Sequence, residues 1–362
     1  MAIIKTDVES VLKTIIDPHT DNDLLRSKSI KKIFIDGTNI NIVIELGYPA
    51  KSYHEKLQRT VSEKLQSLND VGKITVDVKS TIVSHSVQQN LQPLPAIKNI
   101  IAVASGKGGV GKSTTSVNLA LALASEGARI GVLDADIYGP SIPTMLGLSG
   151  PPSSDDGKRM NPKMSLGIQT ISIGYLIDPD QPMIWRGPMV TNALQQLLND
   201  TNWDNLDYLI IDLPPGTGDI QLTLAQQIPV TAAVIVTTPQ DIALMDAQRG
   251  LAMFDKVKIP VLGIIENMSM HICSQCGHEE AIFGQGGGQA MAIKNKIDLL
   301  GSLPLDINIR QFADSGKPTV AADPDGRPAE IYRSIARKMA AKLALTGRDY
   351  SNKFASIVMQ DS

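Results

Sequence analysis

The stretch Gly106-Lys-Gly-Gly-Val-Gly-Lys-Ser-Thr114 decides the fold of this chain, because it has the spacing of a loop that wraps around phosphate groups. The apolar run Ile100 to Ala104 before it predicts a buried strand, and Ser113 to Glu126 after it has the spacing of a helix. Glycines permit backbone angles that turn successive N–H groups toward a polyphosphate, and the start of the helix adds positive potential. The sequence therefore predicts a strand, a phosphate-binding loop and a helix.

Two lysines in this loop have different expected roles. Lys112 reaches the outer phosphates, and the hydroxyl of Ser113 holds a magnesium ion shared with the nucleotide. An ordinary loop needs no cation at Lys107, which is then either a solvated surface lysine or a group that acts elsewhere. The residues expected to contact ATP in the loop are Gly106, Lys107, Gly108, Gly109, Val110, Gly111, Lys112, Ser113 and Thr114.

Acidic residues follow two further apolar segments. Ala128 to Leu133 delivers Asp134 and Asp136 to the carboxyl end of a strand, the edge at which a doubly wound sheet binds its ligands. Leu206 to Ile211 ends in Asp212-Leu-Pro-Pro-Gly-Thr-Gly-Asp219. Asp212 is expected to bind magnesium through water, and the prolines and glycines indicate a switch that senses the outer phosphate.

The loop with two lysines resembles that of the deviant P-loop ATPases, which include MinD, chromosome-partitioning ATPases and the nitrogenase iron protein. The resemblance implies a dimer with nucleotides at its interface. It also implies that Lys107 crosses to the partner's nucleotide and that Asp136 positions the attacking water. The residues expected to act in catalysis are therefore Lys107, Lys112 and Asp136.

The two cysteines of the chain form the pair Cys273-Ser-Gln-Cys276. An iron-sulfur cluster usually takes four thiolates, so one chain supplies half of them, and a two-fold dimer would supply all. A zinc site that adds His271 or His278, a redox dithiol and two buried structural cysteines are the alternatives on spacing. With no apolar leader at the first residues, we expect a reducing, cytoplasmic location.

Length and composition predict about two domains without a membrane span. The chain has 362 residues, 43% hydrophobic residues and a net charge of −3, which gives no basic surface for nucleic acid. The segment 1–85 predicts a small α+β domain, with helices over Val8 to Ile16 and His54 to Leu68. A linker, 86–98, separates it from an α/β nucleotide domain, 99–346, with a mostly parallel, doubly wound sheet. A polar tail, 347–362, follows.

Two regions of the second domain each have two structural interpretations. The pattern weakens between Gly139 and Pro188 into prolines, glycines and methionines, which could face a client protein or form irregular loops. Glu330 to Leu343 predicts a basic amphipathic helix. Such a helix more often packs on its own domain than on a membrane.

Over nearly its whole length the chain resembles the Mrp-type iron-sulfur carrier ATPases, also called the ApbC family. The resemblance rests on the phosphate loop and on segments before and after it: Asp134-Ala-Asp-Ile-Tyr-Gly-Pro-Ser141, Trp185-Arg-Gly-Pro-Met189, the Asp212 segment, and Glu266-Asn-Met-Ser269 before the cysteines. It implies that Asn267 recognises adenine near Leu303-Pro-Leu-Asp306. It also implies that Cys273 and Cys276 hold a [4Fe-4S] cluster across a homodimer.

The expected function is that of a slow ATPase that binds such a cluster and passes it to apo-proteins, with cluster-assembly scaffolds as further partners. The first domain is expected to dock a client or partner, and no cysteine precedes Cys273. The alternative is a positioning or partitioning ATPase of the MinD type, acting on a membrane or the nucleoid. That alternative gives the cysteines no purpose. A nucleotide-gated scaffold without hydrolysis is a third hypothesis.

Overall fold

The computed structural model describes residues 3–88, 91–177, 187–273 and 275–347. Trp185, Ser274 and the predicted polar tail from residue 348 onward lie outside these ranges. The strands are β1 Ile16–Asp17, β2 Asn22–Asp23, β3 Ile30–Asp36, β4 Asn39–Leu46, β5 Ile74–Ser80, β6 Ile100–Ala104, β7 Ile130–Asp134, β8 Lys163–Ser165, β9 Ile168–Ser172, β10 Tyr208–Asp212, β11 Ala232–Thr237, β12 Val261–Glu266, β13 His271–Ile272, β14 Glu279–Glu280 and β15 Leu299–Ser302. The helices are α1 Lys5–Leu12, α2 His54–Leu65, α3 Lys112–Ser125, α4 Ile142–Met145, α5 Gly187–Asn199, α6 Asp219–Gln227, α7 Asp241–Lys256, α8 Gly287–Asn295, α9 Ile307–Asp314, α10 Thr319–Ala322 and α11 Arg327–Ala344.

The second domain is built on one sheet in the order β15-β12-β11-β6-β10-β7-β9-β8. All neighbouring strands are parallel except β8 and β9. The central strands β6, β7, β10 and β11 are buried along their full length, because helices cover both faces of the sheet. The predicted α/β fold with a mostly parallel, doubly wound sheet is confirmed.

The first domain has a three-stranded sheet in the order β3-β4-β5, in which α2 packs against β5. A hairpin around Asp36 and Gly37 joins β3 to β4. The predicted helix over Val8 to Ile16 is displaced, since α1 begins at Lys5 and ends at Leu12. Beyond it the buried carboxylate of Asp17 accepts hydrogen bonds from Tyr48 Oη and the His19 N–H, which draws this segment away from a helical path.

The methionine-rich region has more regular structure than its sequence pattern predicts. Its two strands, β8 and β9, form an antiparallel hairpin at the edge of the large sheet. Leu166 and Gly167 link them with φ values of +49° and +81°. A two-residue turn with both φ positive fits the twist of a hairpin, but leucine is not a residue by which such a turn is recognised in a sequence.

The first domain docks on the end of α3, the helix that begins at the phosphate loop. Ser52 donates from its backbone N–H and its hydroxyl to the carboxylate of Glu126, the residue that follows α3, over 2.8 and 2.6 Å. Arg337 on α11 donates to Glu126 Oε1 over 2.6 Å, to Ser52 Oγ and to His19 Nε2. The side chain of Glu126 is fully buried. One arginine therefore bridges both domains and the end of the loop helix.

Helix α11 packs on its own domain, against α3, β12 and β15. Its apolar residues Tyr332, Ile335, Met339 and Leu343 are buried, and Lys342 pairs with Asp298 at 3.1 Å. Within the described ranges, no helix is both long enough and apolar enough to cross a bilayer.

Candidate nucleotide site and cysteine hairpin

The phosphate loop joins the carboxyl end of β6 to α3 and is held by close contacts. Gly109 and Gly111 both have φ +80°, a conformation that favours glycine. A Cβ on Gly106 would lie 2.2 Å from the backbone carbon of Asp246, because the loop packs directly on α7. Asn267 donates from Nδ2 to the carbonyl of Val110 over 2.9 Å. The loop is therefore fixed from two sides by the rest of the domain.

A buried polar cluster joins the loop to Asp212 at the end of β10. Lys112 Nζ lies 2.7 Å from Asp212 Oδ2, and Ser113 donates to the same oxygen over 2.6 Å. Ser116, one turn further along α3, donates to Asp212 Oδ1 over 2.6 Å. A hydroxyl beside a carboxylate is an oxygen set that fits Mg²⁺. The structure thus brings together the two residues predicted to bind magnesium.

Asp134, at the end of β7, is fully buried beside Asp212. Burial and the negative charge of Asp212 raise the pKa of Asp134 to about 7, although Ser172 Oγ and the Asp136 N–H donate to it. Ionisation of this carboxyl is unfavourable because two neighbouring carboxylates would share a site with low dielectric. The fold therefore favours the protonated form of Asp134.

Asp136 lies further out than Asp134 and lines a cavity of about 210 Å³ together with the loop. Burial raises its pKa, and the charge of Lys112 opposes the effect. Lys107 also lines this cavity, is half-buried, and forms no ion pair within the described part of the chain. Thr114 lines the same space, as do Ser141, Met145 and Pro215. Lys107, Lys112 and Asp136, the three residues predicted to be catalytic, thus border one cavity.

A short backbone path leads from Asn267 to the cysteines. Asn267 follows β12, its side chain is buried against the loop, and Met268 next to it has φ +57°. The segment Leu303–Asp306 lies beside this path: Ser269 donates its N–H to Leu303 O, and Leu305 donates its N–H to Met270 O. The structure brings this segment close to Asn267, where the resemblance puts it, and extends it to the base of the cysteine hairpin.

The cysteines stand in the short hairpin of β13 and β14, which pair through His271–Glu280 and Ile272–Glu279. Cys273 donates its N–H to His278 O, and Gly277 donates its N–H to Cys273 O with φ +72° at Gly277. Cys273 is half-buried and Cys276 is exposed. The pair is therefore neither buried structural sulfur nor part of the hydrophobic core.

The pKa of the Cys273 thiol is lowered, because the backbone N–H groups of Cys276 and Gln275 and the Cys276 thiol donate to it. His271, a candidate third ligand for zinc, contacts the carbonyl of Leu305 through Nδ1. No cluster of three His, Cys, Asp or Glu side chains in the described ranges has the geometry to hold a metal ion. In the part of the chain that the structure describes, the cysteine pair therefore has no third side-chain ligand for a metal ion.

Three contacts of the site were not predicted from the sequence. The contact of Ser116 could have been predicted, because Ser116 lies one turn after Ser113 on the same helix face. Glu266 belongs to a segment that carries the resemblance, but its contact is not predicted: its buried carboxylate accepts the N–H of Gly288 at the start of α8 over 2.5 Å. The packing of Gly106 on α7 pairs segments about 140 residues apart, which local patterns do not reveal.

Comparison with known proteins identifies both domains. A family model described as NUBPL iron-transfer P-loop NTPase matches residues 96–340, and one described as iron-sulfur cluster assembly protein matches residues 5–78. The chain is 49% identical over 344 residues to the iron-sulfur cluster carrier protein of Haemophilus influenzae, covering 95% of this chain and 93% of the relative. It is 48% identical over 254 residues to the mouse iron-sulfur cluster transfer protein NUBPL, covering 70% and 80%.

The fold is also shared with a solved structure, the nucleotide-binding protein from Archaeoglobus fulgidus in complex with ADP. That chain is 38% identical with a TM-score of 0.54, covering 61% of this chain and 88% of its own. These similarities and the geometry of the loop agree with the prediction of a P-loop ATPase. The chain belongs to the family of the NUBPL iron-transfer P-loop NTPases.

Proposed function

We propose that the protein is an ATP-dependent iron-sulfur cluster carrier that holds a [4Fe-4S] cluster between two copies of the chain and transfers it to apo-proteins. The observation that carries the proposal is the accessible Cys273 and Cys276 pair, which lacks a third ligand within the described ranges. It stands six residues after Asn267, which contacts the phosphate loop. The names of the relatives, iron-sulfur cluster carrier and transfer proteins, support the same function.

ATP and Mg²⁺ are the cofactors of the proposal. The loop from Gly106 to Thr114 would bind the phosphates, Asn267 the base, and Ser113 with Asp212 the magnesium ion. The ion supplies charge neutralisation for phosphoryl transfer. Lys112 stabilises the outer phosphates, Asp136 orients water, and Lys107 reaches the nucleotide of the partner. The buried hydroxyl and carboxylate pair at 2.6 Å supports the magnesium assignment.

The cluster is the cargo of this proposal, and its ligands are the thiolates of both copies. A two-fold axis beside the hairpin brings each cysteine pair opposite its own copy, which completes four thiolates. The lowered pKa of Cys273 supports the role, because only the thiolate binds iron. The path from Asn267 to Cys273 offers a route by which nucleotide binding changes how firmly the cluster is held. Slow turnover would suit such a switch.

The division of the chain is part of the proposal. The small domain, residues 1–85, would dock client proteins or assembly scaffolds. The segment 86–98 would connect this domain to the ATPase domain, residues 99–346. A cytoplasmic location would keep the thiols reduced. The contacts of Gln88 Nε2 with Ala225 O and Ile228 O show that the connecting segment already packs on the second domain. The MinD-type alternative draws no support from α11, whose apolar face is buried in its own domain.

Anaerobic reconstitution tests the proposal. We expect about four iron and four sulfide per dimer for the wild type, and loss of this iron in Cys273→Ser and in Cys276→Ser. His278→Ala is the matched control, because it removes an exposed candidate ligand from the same hairpin and should keep full iron. One zinc per monomer, or iron that persists after both cysteines are replaced, would contradict the proposal.

A further inference from the structure

A groove of about 360 Å³ opens beside the cysteine hairpin, and Cys273 is one of its lining residues. The hairpin forms one wall through His271 to Cys273. The segment from Pro304 to Asn308 and the first turn of α11 also line the groove. Anything bound in this groove therefore lies beside the Cys273 thiol.

Part of the lining of the groove is apolar. Ile272, Leu305, Ile307 and Ile331 contribute to it, and Ile307 keeps 60% of its surface exposed. A single exposed isoleucine is ordinary on a protein surface. Four aliphatic side chains that converge in one groove next to a metal-ligating thiol indicate a binding site for an apolar side chain.

The lining of the groove also includes charged side chains. Arg327, the first residue of α11, has a side chain that is 72% exposed, and it forms a long ion pair of 3.7 Å with Glu279, whose side chain is 53% exposed. An exposed pair at this distance contributes little and is easily exchanged. The other charged side chain of the lining, Asp306, caps α9 by accepting the Asn308 N–H over 2.7 Å. The guanidinium group of Arg327 is therefore available to an anion that enters the groove.

Building on the proposed function, we propose that this groove binds the cysteine-bearing segment of the apo-protein that receives the cluster. An apolar side chain next to the client cysteine occupies the groove, and Arg327 stabilises the client thiolate. The client sulfur then forms a bond to the iron as the bond between iron and Cys273 Sγ breaks. Cys273 leaves as a thiolate and later takes a proton from water. The step exchanges ligands and moves no electrons.

The position of Cys273 suits this exchange, because Cys273 lines the groove that the client segment would enter. Cys276 has no place in the lining of the groove and stays bound to iron during the first exchange. The groove thus assigns an order to the two cysteines, with Cys273 released first.

The test measures transfer from reconstituted carrier to an apo-ferredoxin of the [4Fe-4S] class, at increasing acceptor concentration. Ile307→Glu should keep wild-type iron content and raise the acceptor concentration at half-maximal rate about tenfold, since it places a charge in an apolar contact. Arg327→Gln should move the pH midpoint of the transfer rate upward, since the client thiol loses its cation.

Matched controls are exposed residues outside the lining of the groove. Ile293→Glu changes an isoleucine with 69% exposure on α8, and Arg310→Gln changes an arginine that pairs with Asp314; both should transfer as the wild type does. If all variants keep full iron and the wild-type values of both the acceptor concentration at half-maximal rate and the pH midpoint, the proposal for the groove is wrong while the proposed function stands. Absence of cluster in the wild type would overturn the proposed function and the groove with it.

Discussion

The nucleotide site and the cysteine hairpin differ in how completely one chain builds them. At the nucleotide site, Asp212 is fully buried and contacts Lys112, Ser113 and Ser116. The hairpin has two-residue strands, and its cysteines are half-buried and exposed. The difference shows that the first site is tied into its domain by buried side chains, whereas the second is a short hairpin at the surface. Substitutions should therefore have different costs in the two places.

The largest effect is expected from Lys112→Ala. It removes the cation beside the buried Asp212 and the group that would stabilise phosphates. ATP hydrolysis should fall by about a hundredfold or more, and the free energy of unfolding by about 3 kcal/mol. Steady-state phosphate release and urea denaturation measure the two effects. Lys107→Ala, at a half-buried position without a described ion pair, should lower hydrolysis and leave stability unchanged. If Lys112→Ala and Lys107→Ala had the same free energy of unfolding, the expected difference between the buried and the half-buried lysine would be wrong.

Substitutions at Gly106 and Gly108 distinguish a loop glycine that packs on α7 from one that packs on nothing. Gly106→Ala should lower the free energy of unfolding by about 1–3 kcal/mol because the new Cβ would meet the backbone of α7. Gly108→Ala should change it by less than about 0.5 kcal/mol, since no atom lies within 4 Å of its Cβ position. Chemical denaturation of the nucleotide-free protein measures both, and similar losses in the two variants would show that the loop is not held by α7.

Asp134 makes stability depend on pH. Its pKa of about 7 in the folded protein exceeds the ordinary value of 3.8. Between these values the folded protein holds a proton that the unfolded chain has released, so the free energy of unfolding falls as pH rises through this window. Thermal unfolding of the nucleotide-free wild type should show this decline from pH 5 to 8.

Replacing Asp134 tests this origin. Asp134→Asn should reduce the decline in Tm by about 2–4 °C, because an amide does not ionise. The exposed Asp155→Asn should keep the wild-type slope. Parallel curves for wild type and Asp134→Asn would show that Asp134 does not determine the pH dependence.

The smallest effect is expected at the hairpin. Cys273→Ser and Cys276→Ser should change the free energy of unfolding of the cluster-free protein by less than about 0.5 kcal/mol, because neither thiol is buried in the core. The same variants are expected to lose the cluster. Anaerobic chemical denaturation in the presence of a chelator measures this free energy of unfolding. A large loss of stability would mean that the hairpin is held by its sulfur atoms, and would remove the contrast with the nucleotide site.

The sequence was informative where chemistry depends on residues that are close along the chain. Strand β6 begins and ends at the residues that the pattern predicts, because an apolar run is a local signal. The fold class and the family could be predicted for the same reason, since the loop and the segments after it are contiguous motifs.

Other features depend on contacts between distant segments. The segment after α1 is held by the hydrogen bond from Tyr48 to Asp17, and the hairpin of β8 and β9 turns through a leucine with positive φ. The contact of Glu266 joins β12 to α8, and the groove beside Cys273 forms only where the cysteine hairpin meets the starts of α9 and α11. Such tertiary contacts override local propensity, and a single sequence does not reveal them.

The bridge made by Arg337 has a consequence for biosynthesis. His19 and Arg337 are separated by 318 positions along the chain, and Glu126 lies between them. Domains generally fold in order of their emergence from the ribosome, with the N-terminal one first. The small domain can therefore fold early and reach Glu126 through Ser52, but the arginine that completes this joint becomes available only after α11 has been translated. A product truncated before α11 would keep the Ser52 contacts and lack the bridge from Arg337 to His19, Ser52 and Glu126.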